Sequence, residues 1–170
     1  MSGSLHTWYS LPDLDVFAAR QTVLRGEIEL KRLTRLRDML HADSGSVSAS
    51  LRFQQRSGGW LALELEYETS LQLVCQRCLD PMSYALLGQV QMGLLESAAA
   101  ESSLPESYEP VVLDSERLLP ERLIEDELIV SLPLVPRHAS LDDCGSLART
   151  VPGADRGVSI ETQEDAPKTD

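Results

Sequence analysis

The sequence predicts an α+β protein: an antiparallel β-meander or partly closed sheet covered by a few short helices, followed by a disordered acidic C-terminal tail. Three observations point there. VSASLRF (47–53) alternates Val47, Ala49, Leu51 and Phe53 with polar residues, as a half-buried strand does. A second run keeps one register from Leu61 through Leu63, Leu65, Tyr67, Leu71 and Leu73 to Cys75. LPERLIEDELIVSLP (119–133) instead spaces its apolar residues as a helix that covers one sheet face would.

In chain order, LPDLDVFAARQ (11–21) reads as a short helix whose first turn Asp13 or Asp15 can cap. Gly26 interrupts, and EIEL (27–30) reads as a brief extended piece. KRLTRLRDMLH (31–41) puts Leu33, Leu36 and Leu40 at i, i+3 and i+7, an amphipathic helix with Lys31, Arg32, Arg35 and Arg37 outside. ADSGS (42–46) is a turn, and QQRSGG (54–59) closes a hairpin before one long strand, with Thr69-Ser70 as its candidate bend. MSYALLGQVQMGLL (82–95) is extended again, with Gly88 and Gly93 as bulge candidates. The loop 96–107 is polar, and YEPVVLD (108–114) is a short strand that Pro110 assigns to a sheet edge. In the last helix Pro120 suits the first helical position, the early acids suit the dipole, and Pro133 stops it. The organisation expected is one domain over 1–144, with a helical, basic part (11–41), a sheet (47–95), and a strand and helix (108–133). Residues 145–170, rich in Gly, Pro, Asp and Thr without apolar period, read as the disordered tail.

Composition narrows the function classes. Net charge is −12, unevenly spread. Residues 1–56 hold eight Lys/Arg against six Asp/Glu, and residues 57–170 hold seven against 21. A basic contact face beside a solubilising acidic part would look like this, and so would two merely solvated surfaces. Aromatics make up 5%, few for a base-stacking surface. No apolar run approaches a membrane span, no basic-then-apolar leader opens the chain, and three cysteines suit a reducing compartment. The expected location is the cytoplasm.

No Gly-x-Ser-x-Gly, His-Glu-x-x-His, Walker or dinucleotide-binding pattern is present. The histidines, His6, His41 and His138, fall in loops or at element ends, and His138 alone could serve as base to a nucleophilic Cys75 or Cys78. No enzyme is therefore expected. Cys75-x-x-Cys78 lies between two strands, whereas a redox pair wants its first cysteine at a helix N-terminus. A metal reading uses the hairpin better, because both sulfurs can converge on one ion. Zinc takes four such ligands, and His138 and Cys144 are the thiolate or imidazole donors left for it. Two reduced, half-buried cysteines are the competing reading.

VCQRCLDPM (74–82), LPESYEPVVLD (104–114) and LIEDELIVSLPLVPRH (123–138) ending in DDC (142–144) resemble, in order and spacing, the YceD family of large ribosomal RNA subunit accumulation proteins. Cys75, Arg77, Cys78 and Leu79 match its Cys-x-Arg-Cys-Leu core, and Glu125 to Pro133 its acidic-apolar helix; the similarity covers about residues 10–145. The resemblance implies a non-enzymatic factor that supports accumulation of the large-subunit (23S) rRNA. Many relatives carry two or more further cysteines downstream, where this chain has His138 and Cys144. Either His138 substitutes in a zinc site or the metal is lost. The partner implied is a large-subunit precursor, contacted as rRNA or as a basic ribosomal protein, with Lys31, Arg32, Arg35 and Arg37 as contact residues. A zinc-dependent module with an unrelated partner is the alternative, and a thiol enzyme the third.

Overall fold

The computed structural model describes residues 3–56, 60–97, 104–113 and 117–145. The expected tail beyond 145 lies outside the described residues. Alternation builds the central feature, a five-stranded sheet in the order β2-β3-β4-β5-β6. Its strands are β2 (Val23–Glu29), β3 (Ser46–Gln55), β4 (Leu61–Val74), β5 (Pro81–Leu95) and β6 (Glu109–Val112). The first four form an antiparallel meander, and β6 joins β5 in parallel over Met92–Leu95. The sheet stays open, with β2 and β6 at its ends.

Period-2 alternation sends one set of side chains to a single face. Leu24, Leu51 and Leu65 stand in one row across β2, β3 and β4, with Val90 next on β5. Phe53 and Leu63 stand in another row, ending at Met92. All but the half-buried Val90 are almost fully buried. Helices α1 (Leu11–Ala19), α2 (Thr34–Arg37) and α3 (Pro120–Val130) contribute Leu14, Leu36, Ile124 and Leu128 to the same core. The strand β1 (Tyr9–Ser10) pairs with β7 (Arg117–Leu118) and so ties the chain's start to the segment that enters α3.

Local capping follows the expected chemistry. Ser10 precedes α1, and the Asp13 carboxylate accepts hydrogen bonds from its N–H and its hydroxyl. Pro120 opens α3 as its first helical residue.

Three expectations need correction. Of the extended piece expected at 27–30, residues 27–29 end a seven-residue strand that belongs to the sheet, and Leu30 already opens a 3-10 turn. The single helix expected over 31–41 is a 3-10 turn at Leu30–Arg32 followed by the one-turn α2, with Leu33 between them at φ −80° and ψ 84°. The break has a packing reason: Leu30, Leu33 and Leu36, three residues apart, are all fully buried. A 3-10 turn repeats every three residues and stacks such positions on one side, whereas a continuous α-helix would fan them over about 120°. Gly88 and Gly93 are not bulges, because β4 and β5 stay in unbroken register from Leu61↔Leu94 to Val74↔Pro81. Gly88 instead makes room for Tyr67 across the pair, since a Cβ there would overlap the tyrosine ring and hydroxyl. β4 runs through Thr69 as the one long strand expected, and the Thr69 hydroxyl donates to the Ser46 carbonyl at 3.0 Å and so tolerates burial.

Candidate metal centre

The hairpin joining β4 to β5 ends in a six-residue loop, Cys75 to Asp80. The Leu79 N–H donates to the Cys75 carbonyl at 2.8 Å and the Cys75 N–H to the Asp80 carbonyl at 3.0 Å, closing the loop on itself. That closure forces Leu79 to φ 64°, a left-handed conformation unusual for a leucine. Its side chain is exposed and lies clear of the core. Strain held at a loop tip by surrounding structure is typical of a site that fixes a geometry.

The segment after α3 returns to this loop. The Gln76 N–H donates to the Pro136 carbonyl at 2.8 Å, and the Gly145 N–H to Asp80 Oδ2 at 3.0 Å. Asp80 approaches so closely that a Cβ at residue 145 would meet its carboxylate. Arg77 reaches across the junction: its guanidinium donates to the carbonyls of His138 (3.0 Å) and Ser140 (2.9 Å), and its Nε lies 3.2 Å from Cys144 Sγ. These contacts bring together all four expected ligands. The donor atoms of Cys75, Cys78, His138 and Cys144 lie within 4.8 Å of one another. His138 Nδ1 is 3.5 Å from Cys78 Sγ and 3.6 Å from Cys144 Sγ. The three cysteines are free thiols, and all are buried.

This donor set fits zinc. A tetrahedral Zn²⁺ with nitrogen at about 2.0 Å and sulfur at about 2.3 Å sets them about 3.5 Å apart, and His138 Nδ1 lies 3.5 and 3.6 Å from the Cys78 and Cys144 sulfurs. Three thiolates and one imidazole leave a zinc centre with a net charge of −1, and Arg77 offsets it. The thiols are tuned unequally. Burial by itself would push Cys75 up, but the N–H groups of His138, Arg77 and Cys78 and the Cys78 thiol outweigh it and bring Cys75 to about 6. Burial pushes Cys78 up, with the sulfurs of Cys75 and Cys144 adding to it against the N–H groups of Asp80 and Gly145. A sulfur that already receives several N–H groups is prepared to stay a thiolate, the form a metal binds.

Arg77 and Asp80 are the positioning residues that spacing alone did not reveal. Each touches the returning segment rather than its own strand, so only the folded chain shows their role.

The four basic residues expected to touch a partner lie elsewhere, against α3 or their own segment. Lys31 Nζ sits 2.9 Å from Glu29. Arg32 makes a two-pronged contact with Glu121, which also accepts from His6 Nδ1 at 2.7 Å. Arg35 meets Asp126 and, at 2.8 Å, the buried Glu125, while the same Glu125 accepts the N–H groups of Arg35 and Leu36 at the start of α2. Arg37 is 3.8 Å from Asp38. Half-exposed as Arg32 and Arg35 are, their guanidinium groups already have carboxylate partners. None of the helices among the described residues is long and apolar enough to cross a membrane.

Fold and site together define an α+β protein with a cysteine-rich clasp that locks a β-hairpin tip to the segment after its last helix. A model of the YceD family, described as large ribosomal RNA subunit accumulation protein YceD, matches residues 63–169, and the chain belongs to this family. The match begins later than the similarity expected from residue 10 and spans the entire clasp. No curated protein and no solved structure matches the chain.

Proposed function

We propose that this chain is a cytoplasmic, non-enzymatic factor that supports accumulation of the large-subunit (23S) rRNA and large-subunit biogenesis. Family membership carries this reading. The burial of all three thiols favours a structural role for the cluster over a nucleophilic one, since a substrate must reach a catalytic sulfur. In the same proposal Cys75, Cys78, His138 and Cys144 hold one structural zinc that fixes the clasp. The pairing of Lys31, Arg32, Arg35 and Arg37 with carboxylates favours a basic ribosomal protein over bare rRNA as the direct partner.

Deleting the gene from its host and measuring the ratio of large- to small-subunit rRNA tests the reading: the ratio should fall, and unchanged rRNA with normal subunit profiles would sink it. Metal analysis of the purified full chain tests the zinc separately, because a structural site binds tightly. Less than about one-tenth of an equivalent would remove the metal from the proposal. The donor cluster also supports a second reading, a zinc-dependent interaction module with an unrelated partner. Full zinc occupancy with unaffected rRNA would select it.

A further inference from the structure

One long strand edge has no partner among the described residues. β5 gives one side to β4 along its whole paired length, from Pro81 to Leu94. Its other side meets β6 only over Met92–Leu95, so Met82–Gln91 presents backbone donors and acceptors with nothing beside them among the described residues. Proteins usually protect such edges with charged side chains, bulges or prolines. This one carries no charged residue from Pro81 to Leu95, its register is unbroken, and its single proline stands at the start.

The outer sheet face beside this edge has a definite chemistry. Glu64, Glu66 and Glu68 project from β4 opposite Gln91, Gln89 and Leu87 of β5. Glu64 is engaged by Arg52 and Gln89. Glu66 and Glu68 have no cationic partner among the described residues. Both line an open hollow of about 660 Å³ with Leu87, Ser48 and Ser50, and Arg25 stands on its far side. Leu87 is 79% exposed and lies between Glu68 and the free edge. On the opposite face the same edge offers the half-buried Tyr84 and Val90 and the buried Leu86.

We propose that the free edge of β5 binds an extended, basic segment of a partner protein by strand addition. The backbone of the added strand would pair with Met82–Gln91. Its side chains alternate between the faces, so apolar residues would meet Tyr84, Leu86 and Val90 while Lys or Arg residues point to the outer face. Neighbouring strands are about 4.8 Å apart, which puts the added backbone about 10 Å from β4. A Lys or Arg there lays its aliphatic stem over Leu87 and reaches Glu66 or Glu68 with its charged end. Charge complementarity decides the occupant: a second copy of this chain would bring another uncharged strand and leave both glutamates unanswered. The inference holds whether or not the ribosomal reading does, since it rests on the edge and the glutamates alone.

The test uses the full chain and an eight-residue peptide of alternating Lys and Val, with a Glu/Val peptide as control, and reads amide hydrogen exchange and fluorescence anisotropy. Slowed exchange confined to 83–91 is expected with the Lys peptide only, weakening as salt rises. Glu66→Lys with Glu68→Lys should reduce that affinity about tenfold or more and let the Glu peptide bind instead. Leu87→Lys, also on the exposed face, should block the Lys peptide while leaving the circular dichroism of the fold unchanged. Slow exchange of the alternate, outward-facing amides of 83–91 in the free monomer would overturn the inference, as would a dimer in sedimentation that protects those amides. Equal protection by a single-stranded RNA oligonucleotide would overturn it too, and so would binding of the Lys peptide without slowed exchange.

Discussion

Two clusters of reactive side chains lie along and beyond α3, one pairing opposite charges and the other gathering donors of one kind. Along the helix, Glu121, Glu125 and Asp126 meet Arg32 and Arg35, so positive and negative charges answer each other within the chain. Beyond its end, three thiols and an imidazole converge with Arg77 as the one cation in contact among the described residues. The first cluster needs nothing from outside. In the second, three sulfurs stand a few ångströms apart, and a divalent cation would relieve the repulsion that their deprotonation brings. Density of charged side chains is thus a poor guide to a binding site; an unanswered surplus of one charge or donor type is a better one.

The strongest challenge to this contrast is removal of the donor pair. Cys75→Ser with Cys78→Ser should abolish zinc binding and release the 136–145 segment, with a loss of several kcal/mol in unfolding experiments on the metal-loaded chain. Chelator treatment of the wild-type chain should reproduce the loss, and an unchanged melting temperature in both would show that the clasp needs no metal.

Next comes the paired cluster. Glu125→Ala removes a buried carboxylate that answers two α2 N–H groups and the Arg35 guanidinium, and should cost about 2–4 kcal/mol by denaturant titration. A cost below about 0.5 kcal/mol would mean that this cluster is mere surface charge after all.

Arg77→Lys sharpens the other side. Lysine keeps the charge but loses the fork that spans two carbonyls and a sulfur, so zinc affinity should fall about tenfold or more while the apo fold survives. Equal zinc affinity in a competition assay would reduce Arg77 to a counter-charge.

The smallest effect is expected at Glu121. Burial by itself would raise its carboxyl, but Arg32 and His6 hold it below the usual 4.5. A folded value below the unfolded one contributes stability that is fully present above about pH 4.5 and is lost as pH falls through the lower folded value. Solvent screening limits the contribution to about 1 kcal/mol or less. Arg32→Ala should therefore flatten the acid limb of the stability profile slightly, and an identical profile would show that the pair contributes nothing.

Much of the fold was legible because period-2 alternation is a direct record of which face is buried. The parity of Leu61 to Cys75 in the sequence is the parity of the core face in β4. What periodicity could not carry was short or one-sided. β1 and β7 have two residues each, too few for a pattern, and the parallel pairing of β6 depends on where the chain returns. The leucines at 33, 36 and 40 fit a helix that the fold replaces with a 3-10 turn and a single α-helical turn, in which Leu30 is buried as well. At the site the four donors were legible because the thiol and imidazole groups that structural zinc prefers are few here, three cysteines and three histidines. Neither Arg77 nor Asp80 announced a role, since arginine and aspartate are common and their partners stand 61–67 and 65 residues away.

The separation of the donors along the chain has a consequence for synthesis. Cys75 and Cys78 lie in a hairpin built from local pairings, the kind of contact that forms early. His138 lies 60 residues beyond Cys78, and Cys144 follows it, so neither can arrive until α3 has emerged from the ribosome. During translation the hairpin can offer two sulfurs but cannot assemble the four-donor cluster. Closing of the clasp therefore marks the moment when the sheet and its covering helix have both been made, and a chain truncated before residue 144 never reaches it.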